Sequence, residues 1–358
     1  MSAMPLEALN DDSSYTRIDA SSMREHLLFL PAQCRQAWRE ALAFPLPDHY
    51  RGVDKVLFLG MGGSAIGGGM AAALLAGKCR AALHSHRDYG LPGFVDSSTL
   101  VIAASYSGTT EETLDAFEKA LALDCKKLAI TTGGTLGRMA AERDVPVFPI
   151  RYESPPRAAL GYGLMPLLAI LHNLGLAPDL SADVSETISL LEDLGRGYAP
   201  QTPAGQNVAK RLAGALLNRL PVIYGAGILS PVAYRWMTQI NENAKSWAVC
   251  NTVPELCHNS VAGLAYPETV RETAQVVLLD AYSLHPRHRA RYRALKELLD
   301  QSAVPCTVVD AGGRSELAQM MGLTLLGDWT SYYLAILNGF DPTPIPAIEH
   351  LKRHLKMS

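Results

Sequence analysis

Four aliphatic hydroxyls and a glycine are packed into Ser105-Tyr106-Ser107-Gly108-Thr109-Thr110, directly after the apolar run Leu100–Ala104. A second small-residue turn, Gly60-Met61-Gly62-Gly63-Ser64-Ala65-Ile66-Gly67-Gly68, follows the apolar run Val56–Leu59. Apolar strands that end in such turns and run on into helices gather free backbone N–H groups, the positive end of a helix dipole and short hydroxyls, which together bind anions. The two turns lie 45 residues apart, on what should be neighbouring strand ends. Helix capping needs only one of Ser105, Ser107 and Thr110. Three of them beside Gly108 point instead to a phosphorylated ligand.

Other anion chemistries fit less well. Gly60-x-Gly62-x-x-Ala65 matches a dinucleotide fingerprint, with Asp88 some twenty residues on. The segment before that acid, His84-Ser85-His86-Arg87, makes a poor ribose-binding strand end. The fingerprint also has no use for the hydroxyl turn at Ser105. There is no Gly-Lys-Ser/Thr, which excludes a P-loop.

Further along stand residues able to move protons. Glu242 lies between two amides in Ile240-Asn241-Glu242-Asn243-Ala244-Lys245, on an otherwise apolar helical stretch. His258 sits in the loop-like Pro254-Glu255-Leu256-Cys257-His258-Asn259, and Arg157 follows a strand end in Ser154-Pro155-Pro156-Arg157-Ala158. The pairs His84/His86, His285/His288 and His350/His354 have no cluster of cysteines or carboxylates at ligand spacing beside them, so no metal site is expected.

These groups need a scaffold. A chain of 358 residues exceeds one ordinary core, so two domains are expected. Short apolar strands at Val56–Leu59, Ala81–His84, Leu100–Ala104, Lys127–Thr131 and Val145–Pro149 alternate with helical segments, which predicts a parallel sheet covered on both faces. Helices are expected over Gly163–Leu174 and Ser181–Leu194, and a capping box at Ser22–Glu25 before an N-terminal helix. The second half repeats the first. Val222–Ser230 echoes the strand and turn at Gly60, Gln275–Asp280 echoes Leu100–Ala104, and Thr307–Gly313 echoes Ala129–Gly134. Asp280-Ala281-Tyr282-Ser283 replaces the hydroxyl turn, and its carboxylate repels anions. One phosphate site is therefore expected, in the first half. The domain plan is a tail and helix over 1–50, a first domain over 51–197, a linker over 198–207 and a second domain over 208–358.

Composition narrows the setting. A net charge of −3 gives no basic face for nucleic acid. No uncharged apolar run is long enough for a membrane span, and Met1–Tyr15 lacks the pattern of a signal peptide. Six scattered cysteines without a Cys-x-x-Cys pair read as reduced thiols of a cytoplasmic protein.

Together these segments resemble the sugar isomerase (SIS) superfamily, and within it the bifunctional phosphoglucose/phosphomannose isomerase family. The resemblance covers the chain from about Met23 to the end. It rests on Gly60–Ser64, Ser105–Thr110, Pro156-Arg157-Ala158, Asn241–Lys245, Glu255–Asn259 and the tail Asp341–Pro344 with Ile348–Lys352. The resemblance implies two doubly wound, flavodoxin-like SIS domains of α/β class. It also implies aldose–ketose isomerisation between glucose 6-phosphate or mannose 6-phosphate and fructose 6-phosphate, with no cofactor. Ser105, Ser107 and Thr110 would then hold the phosphate, with Gly63 and Ser64 against the sugar. Glu242 would be the proton-transfer base, Arg157 would stabilise the enediolate, and His258 would open the ring from the other subunit of a homodimer. Lys352 matches a C-terminal lysine with a catalytic role, and Lys356 stands one turn further on. Ser260 replaces the acid usual after His-Asn. A sugar-phosphate sensor without turnover, an etherase and an amino-sugar phosphate isomerase are the alternatives on the same fold.

Overall fold

Burial decides the strands. In the computed structural model, which describes residues 4–355, β1 (Lys55–Leu59), β3 (Thr99–Ala104) and β4 (Lys126–Thr131) are continuous apolar runs sunk into the interior. β2 (Ala82–His86) and β5 (Val147–Pro149) are more polar or shorter, and they take the two edges of an all-parallel sheet ordered β2-β1-β3-β4-β5. That order is the doubly wound, flavodoxin-like arrangement, which leaves a crevice at the carboxyl ends of the central strands.

Contacts divide the chain into two compact units. One comprises Phe29–Leu191 with Gly313–Gln319; the other holds the residues up to Leu28, Glu192–Gly312 and those from Met320 on. The N-terminal helices α1 (Asp12–Ile18) and α2 (Met23–Leu28) belong to the latter. No capping box starts α2. Ser22 is left-handed, at φ 54°, and the carboxylate of Asp19 instead accepts the N–H groups of Met23 (2.7 Å) and Arg24 (3.2 Å).

In the first unit α3 (Leu30–Leu42), α4 (Gly62–Leu75), α5 (Glu111–Leu121), α6 (Gly134–Ala141) and α7 (Leu160–Asn173) clothe the sheet, and α8 (Ser181–Tyr198) begins there. Leu57, Leu59, Val101, Ala103 and Ala129 meet Phe117 and Ala120 of α5 and Leu136 and Ala140 of α6 on one face. On the other face Gly68 brings α4 against Phe58, where a Cβ would lie 2.9 Å from the Phe58 side chain. Helix α7 is apolar all round and buried as a core helix must be. It lies so near α4 that a Cβ on Gly67 would fall 1.9 Å from the Gly163 carbonyl oxygen.

The second unit repeats the design with a four-stranded parallel sheet of order β7-β6-β8-β9. Its strands are β6 (Leu220–Ala226), β7 (Val249–Val253), β8 (Ala274–Asp280) and β9 (Cys306–Asp310). Its helices are α9 (Val208–Leu216), α10 (Ser230–Ala244), α11 (Glu268–Thr273), α12 (Pro286–Gln301), α13 (Glu316–Asn338) and α14 (Pro346–Leu355). The duplication read from the sequence is thus present as two parallel sheets of like order, an α/β architecture flanked by helices. From Met320 to Leu337, α13 is buried throughout and forms the core of its unit. No described helix is long and apolar enough to cross a membrane.

Candidate active site

β3 ends at Ala104 and delivers Ser105 and the residues after it to the N-terminus of α5. Ser105, 1% exposed, places its Oγ 2.9 Å from Thr110 Oγ1. Ser107 Oγ lies 3.0 Å from Thr109 Oγ1 and accepts the Thr109 N–H at 3.3 Å. Thr110 occupies the N-cap position of α5, yet its side chain caps no helix N–H. The hydroxyls pair with one another at the positive end of the helix.

Glycine sets the turn's shape. Gly108 is left-handed (φ 65°), and a Cβ there would fall 1.9 Å from the Gly133 carbonyl oxygen. The reverse approach is nearly as close, 2.5 Å from a Cβ on Gly134 to the Ser107 oxygen. The turn after β4 is thereby laid against the hydroxyl turn, and Leu136 N–H donates to the Gly108 carbonyl at 2.9 Å.

The Gly60 turn stands beside it. Ser64 Oγ accepts the N–H of Tyr106 at 3.2 Å, which ties the first turn of α4 to the hydroxyl turn. A Cβ on Gly63 would lie 3.1 Å from both the Arg157 Cα and the Pro156 oxygen. Arg157 is 4% exposed, not a surface arginine, and sits in the short 3-10 turn Pro156–Ala158. Gly63, Ser64, Ser105, Thr110 and the Arg157 backbone are thus held together within one unit. Sequence reasoning missed Tyr106. Its hydroxyl donates to the Tyr152 carbonyl at 2.6 Å and accepts the Ser154 N–H at 2.8 Å, fastening the hydroxyl turn to the segment that leads into Arg157. An aromatic between two serines of the turn was the available signal.

In the second unit Glu242 lies in the last turn of α10, half-buried, and the two amides beside it have separate tasks. Asn241 accepts the Ala248 N–H at 3.0 Å and so holds the loop after the helix. Asn243, fully buried, donates to Ser331 Oγ of α13 at 2.9 Å. Lys245 ends the helix in the left-handed region (φ 52°). Its Nζ donates to the carbonyls of Glu242 (2.6 Å), Asn243 (3.3 Å) and Pro342 (3.0 Å), where a cation complements the helix dipole. Glu242 and Lys245 line a cavity of about 460 Å³ with Trp247 and the segment Ile345–Ile348 that opens α14.

His258 is exposed at the end of the 3-10 turn Glu255–His258, and Lys352 is exposed on α14; neither lines that cavity. Lys356 lies outside the described residues. At the second unit's counterpart of the hydroxyl turn, the Asp280 carboxylate takes the Ala281 N–H (2.8 Å) and lies 3.6 Å from Arg289. Burial raises its pKa. Among the described residues no group of three or more His, Cys, Asp or Glu side chains could hold a metal ion.

Two doubly wound parallel sheets flanked by helices, the first alone with a hydroxyl turn after its central strand, make this an α/β protein. Residues 205–355 match the family described as the bacterial phospho-glucose isomerase C-terminal SIS domain. A bifunctional phosphoglucose/phosphomannose isomerase of Caldicellulosiruptor bescii is 40% identical over 93% of this chain and 98% of its own. One from Aquifex aeolicus is 34% identical over 86% and 91%. The chain belongs to the bifunctional phosphoglucose/phosphomannose isomerase family, and it is an isomerase. The fold recurs in a glucose-6-phosphate isomerase like protein of Thermus thermophilus, with a TM-score of 0.62 at 22% identity over 96% of this chain and 98% of that one. A hypothetical protein of the same organism gives 0.74 at 18% identity, over 98% and 94%.

Proposed function

We propose that the chain interconverts glucose 6-phosphate and mannose 6-phosphate with fructose 6-phosphate through an enediolate. The observation that carries this reading is the Ser105–Thr110 hydroxyl pair at the N-terminus of α5, in a family whose curated relatives are named for both isomerisations. In this reading Ser105, Ser107 and Thr110 take the phosphate, and Gly63 and Ser64 meet the sugar. Glu242 carries the proton between C1 and C2. A positioned base of this kind contributes about 10²–10⁴-fold. Arg157 holds the developing oxyanion, a contribution of roughly 10²–10³. His258 assists ring opening from the other subunit of a cytoplasmic homodimer, and Lys352 supplies a cation from the C-terminal helix.

The phosphate is remote from the reacting carbons, so its binding energy is available to orient C1 and C2 against the base. A planar enediolate accepts a proton at C2 from either face, which accounts for two C2 epimers on one site. Proton transfer by a carboxylate requires no redox partner. The test is Glu242→Gln assayed with glucose 6-phosphate and then mannose 6-phosphate, following fructose 6-phosphate. Turnover should fall by roughly 10³ or more while sugar-phosphate binding survives; near-normal turnover would remove Glu242 from the base's role.

A further inference from the structure

The two sheets of this chain differ in strand number: the first has a strand outside β4, and among the described residues the second has none outside β9. In the first sheet β5 pairs in parallel with β4, and the ladder runs past its ends through Ala129 N–H to the Pro146 oxygen (3.0 Å) and Ile150 N–H to the Thr131 oxygen (2.9 Å). The corresponding groups of β9 can be identified. The Pro305 oxygen accepts from Val276 N–H and Ala311 N–H donates to the Asp280 oxygen, so odd-numbered residues of β9 turn their backbone groups to β8. Even-numbered Cys306, Val308 and Asp310 turn theirs to the open edge. A row of unsatisfied donors and acceptors on a sheet edge is a template for another extended chain.

The edge is not flush with its surroundings. Thr307, Val308, Val309 and Asp310 form one wall of a cavity of about 470 Å³, with α9 contributing Arg211 and Leu212, and α13 a further wall. That volume lies in the range of binding sites rather than packing defects. Its lining mixes apolar side chains with one cation and one carboxylate, and Val308 is 39% exposed.

We propose that the open edge of β9 is a docking site for a short extended peptide segment of a partner protein, taken up as a fifth parallel strand. Such a segment places an apolar side chain against Leu212 and an acidic one near Arg211. The sister sheet shows in the same chain what fills this position, a three-residue strand with buried Phe148 at its centre. A second copy of the chain would bring its own α9 and α13 to the same opening, whereas a lone extended segment brings none.

The probe is the acetylated, amidated peptide Asp144–Ile150 of this chain carrying a fluorophore, titrated with the full-length protein by anisotropy. Saturable binding is expected, and Val308→Pro, which deletes one outward N–H at an edge where proline is tolerated, should weaken it at least about tenfold. Arg211→Glu should weaken it several-fold without touching the strand. Isomerase turnover should stay at the wild-type value in both variants and the melting temperature in Val308→Pro, while Arg211→Glu gives up the bond from its guanidinium to the Gly205 carbonyl (2.8 Å) and melts slightly lower. Absent saturable binding, equal binding by a scrambled peptide, or unchanged affinity in both variants would overturn the proposal. So would self-association of the wild type that Val308→Pro abolishes, which assigns the edge to a second copy.

Discussion

Thr110 does not cap its helix, and that separates two accounts of the hydroxyl turn. A capping threonine stabilises the fold, whereas one paired with Ser105 at an uncapped helix end is free to turn its hydroxyl toward a phosphate. Hydrogen bonds to charged groups are worth about 1.5–3 kcal/mol, or roughly 10- to 100-fold in affinity. Thr110→Val should therefore raise the inhibition constant of inorganic phosphate by at least about tenfold while the melting temperature moves little. An unchanged constant would return the turn to a structural part. At this scale the sequence is partly legible. The three hydroxyls and Gly108 announce themselves by type and spacing, and Glu242 by standing alone among amides. Tyr106 does not, because its two hydrogen bonds go to backbone groups of Tyr152 and Ser154, far along the chain. Arg157 gives no sign in its neighbours that it is buried.

Helix α10, which carries Glu242, is held to α13 by a ladder of polar contacts. Arg235 pairs with Asp328 through two hydrogen bonds of 3.0 and 2.8 Å, both residues buried. Trp236 Nε1 donates to the Leu323 oxygen at 2.8 Å, Gly327 makes room for that indole, and Asn243 meets Ser331. Burial of Asp328 raises its pKa even beside the arginine. A buried pair of this kind is costly to break from one side. Arg235→Met should destabilise the protein by about 3–5 kcal/mol, while Arg235→Met with Asp328→Leu should recover most of the loss in chemical denaturation. Equal losses in the single and double variants would refute a pair that acts as a unit. Element by element, the apolar strands of the first sheet are readable within a residue or two. β7 is not, since Val249-Cys250-Asn251-Thr252-Val253 interrupts its apolar run with polar side chains and lies half-buried at an edge. The start of α2 misleads because a serine followed by glutamate three residues on fits a capping box, while the cap is supplied from Asp19, before the motif.

At the scale of the whole chain, Lys210 has no counterpart in the sequence reading. It is fully buried, and its Nζ donates to the carbonyls of Leu9 (2.6 Å) and Pro200 (2.7 Å) between the rings of Tyr15 and Tyr333. Nothing local marks it, because its partners lie at the start of the chain and in a proline-rich turn. Burial lowers its pKa to about 8. Unfolded, this lysine holds its proton to about pH 10.4, so between these values the unfolded chain binds more protons and stability from this group rises with pH. Lys210→Met should be less stable at every pH, since two carbonyls lose their donor, and the gap in melting temperature should widen between about pH 8 and pH 10. A constant gap would mean that the ammonium carries no burial penalty. The fold class and the single phosphate turn are legible because they repeat or cluster locally; this cage is not, because it joins positions some two hundred residues apart. It also has a consequence for synthesis. The unit that holds Leu9 and Tyr15 cannot close until Lys210 and then Tyr333 have been added, whereas Phe29–Leu191 lies between them in the chain. At ribosomal rates of about 5–20 residues per second, the opening segment waits roughly 10–40 s for its lysine. Leu9 and Tyr15 thus precede Phe29–Leu191 in synthesis yet find their partners only after it has been made.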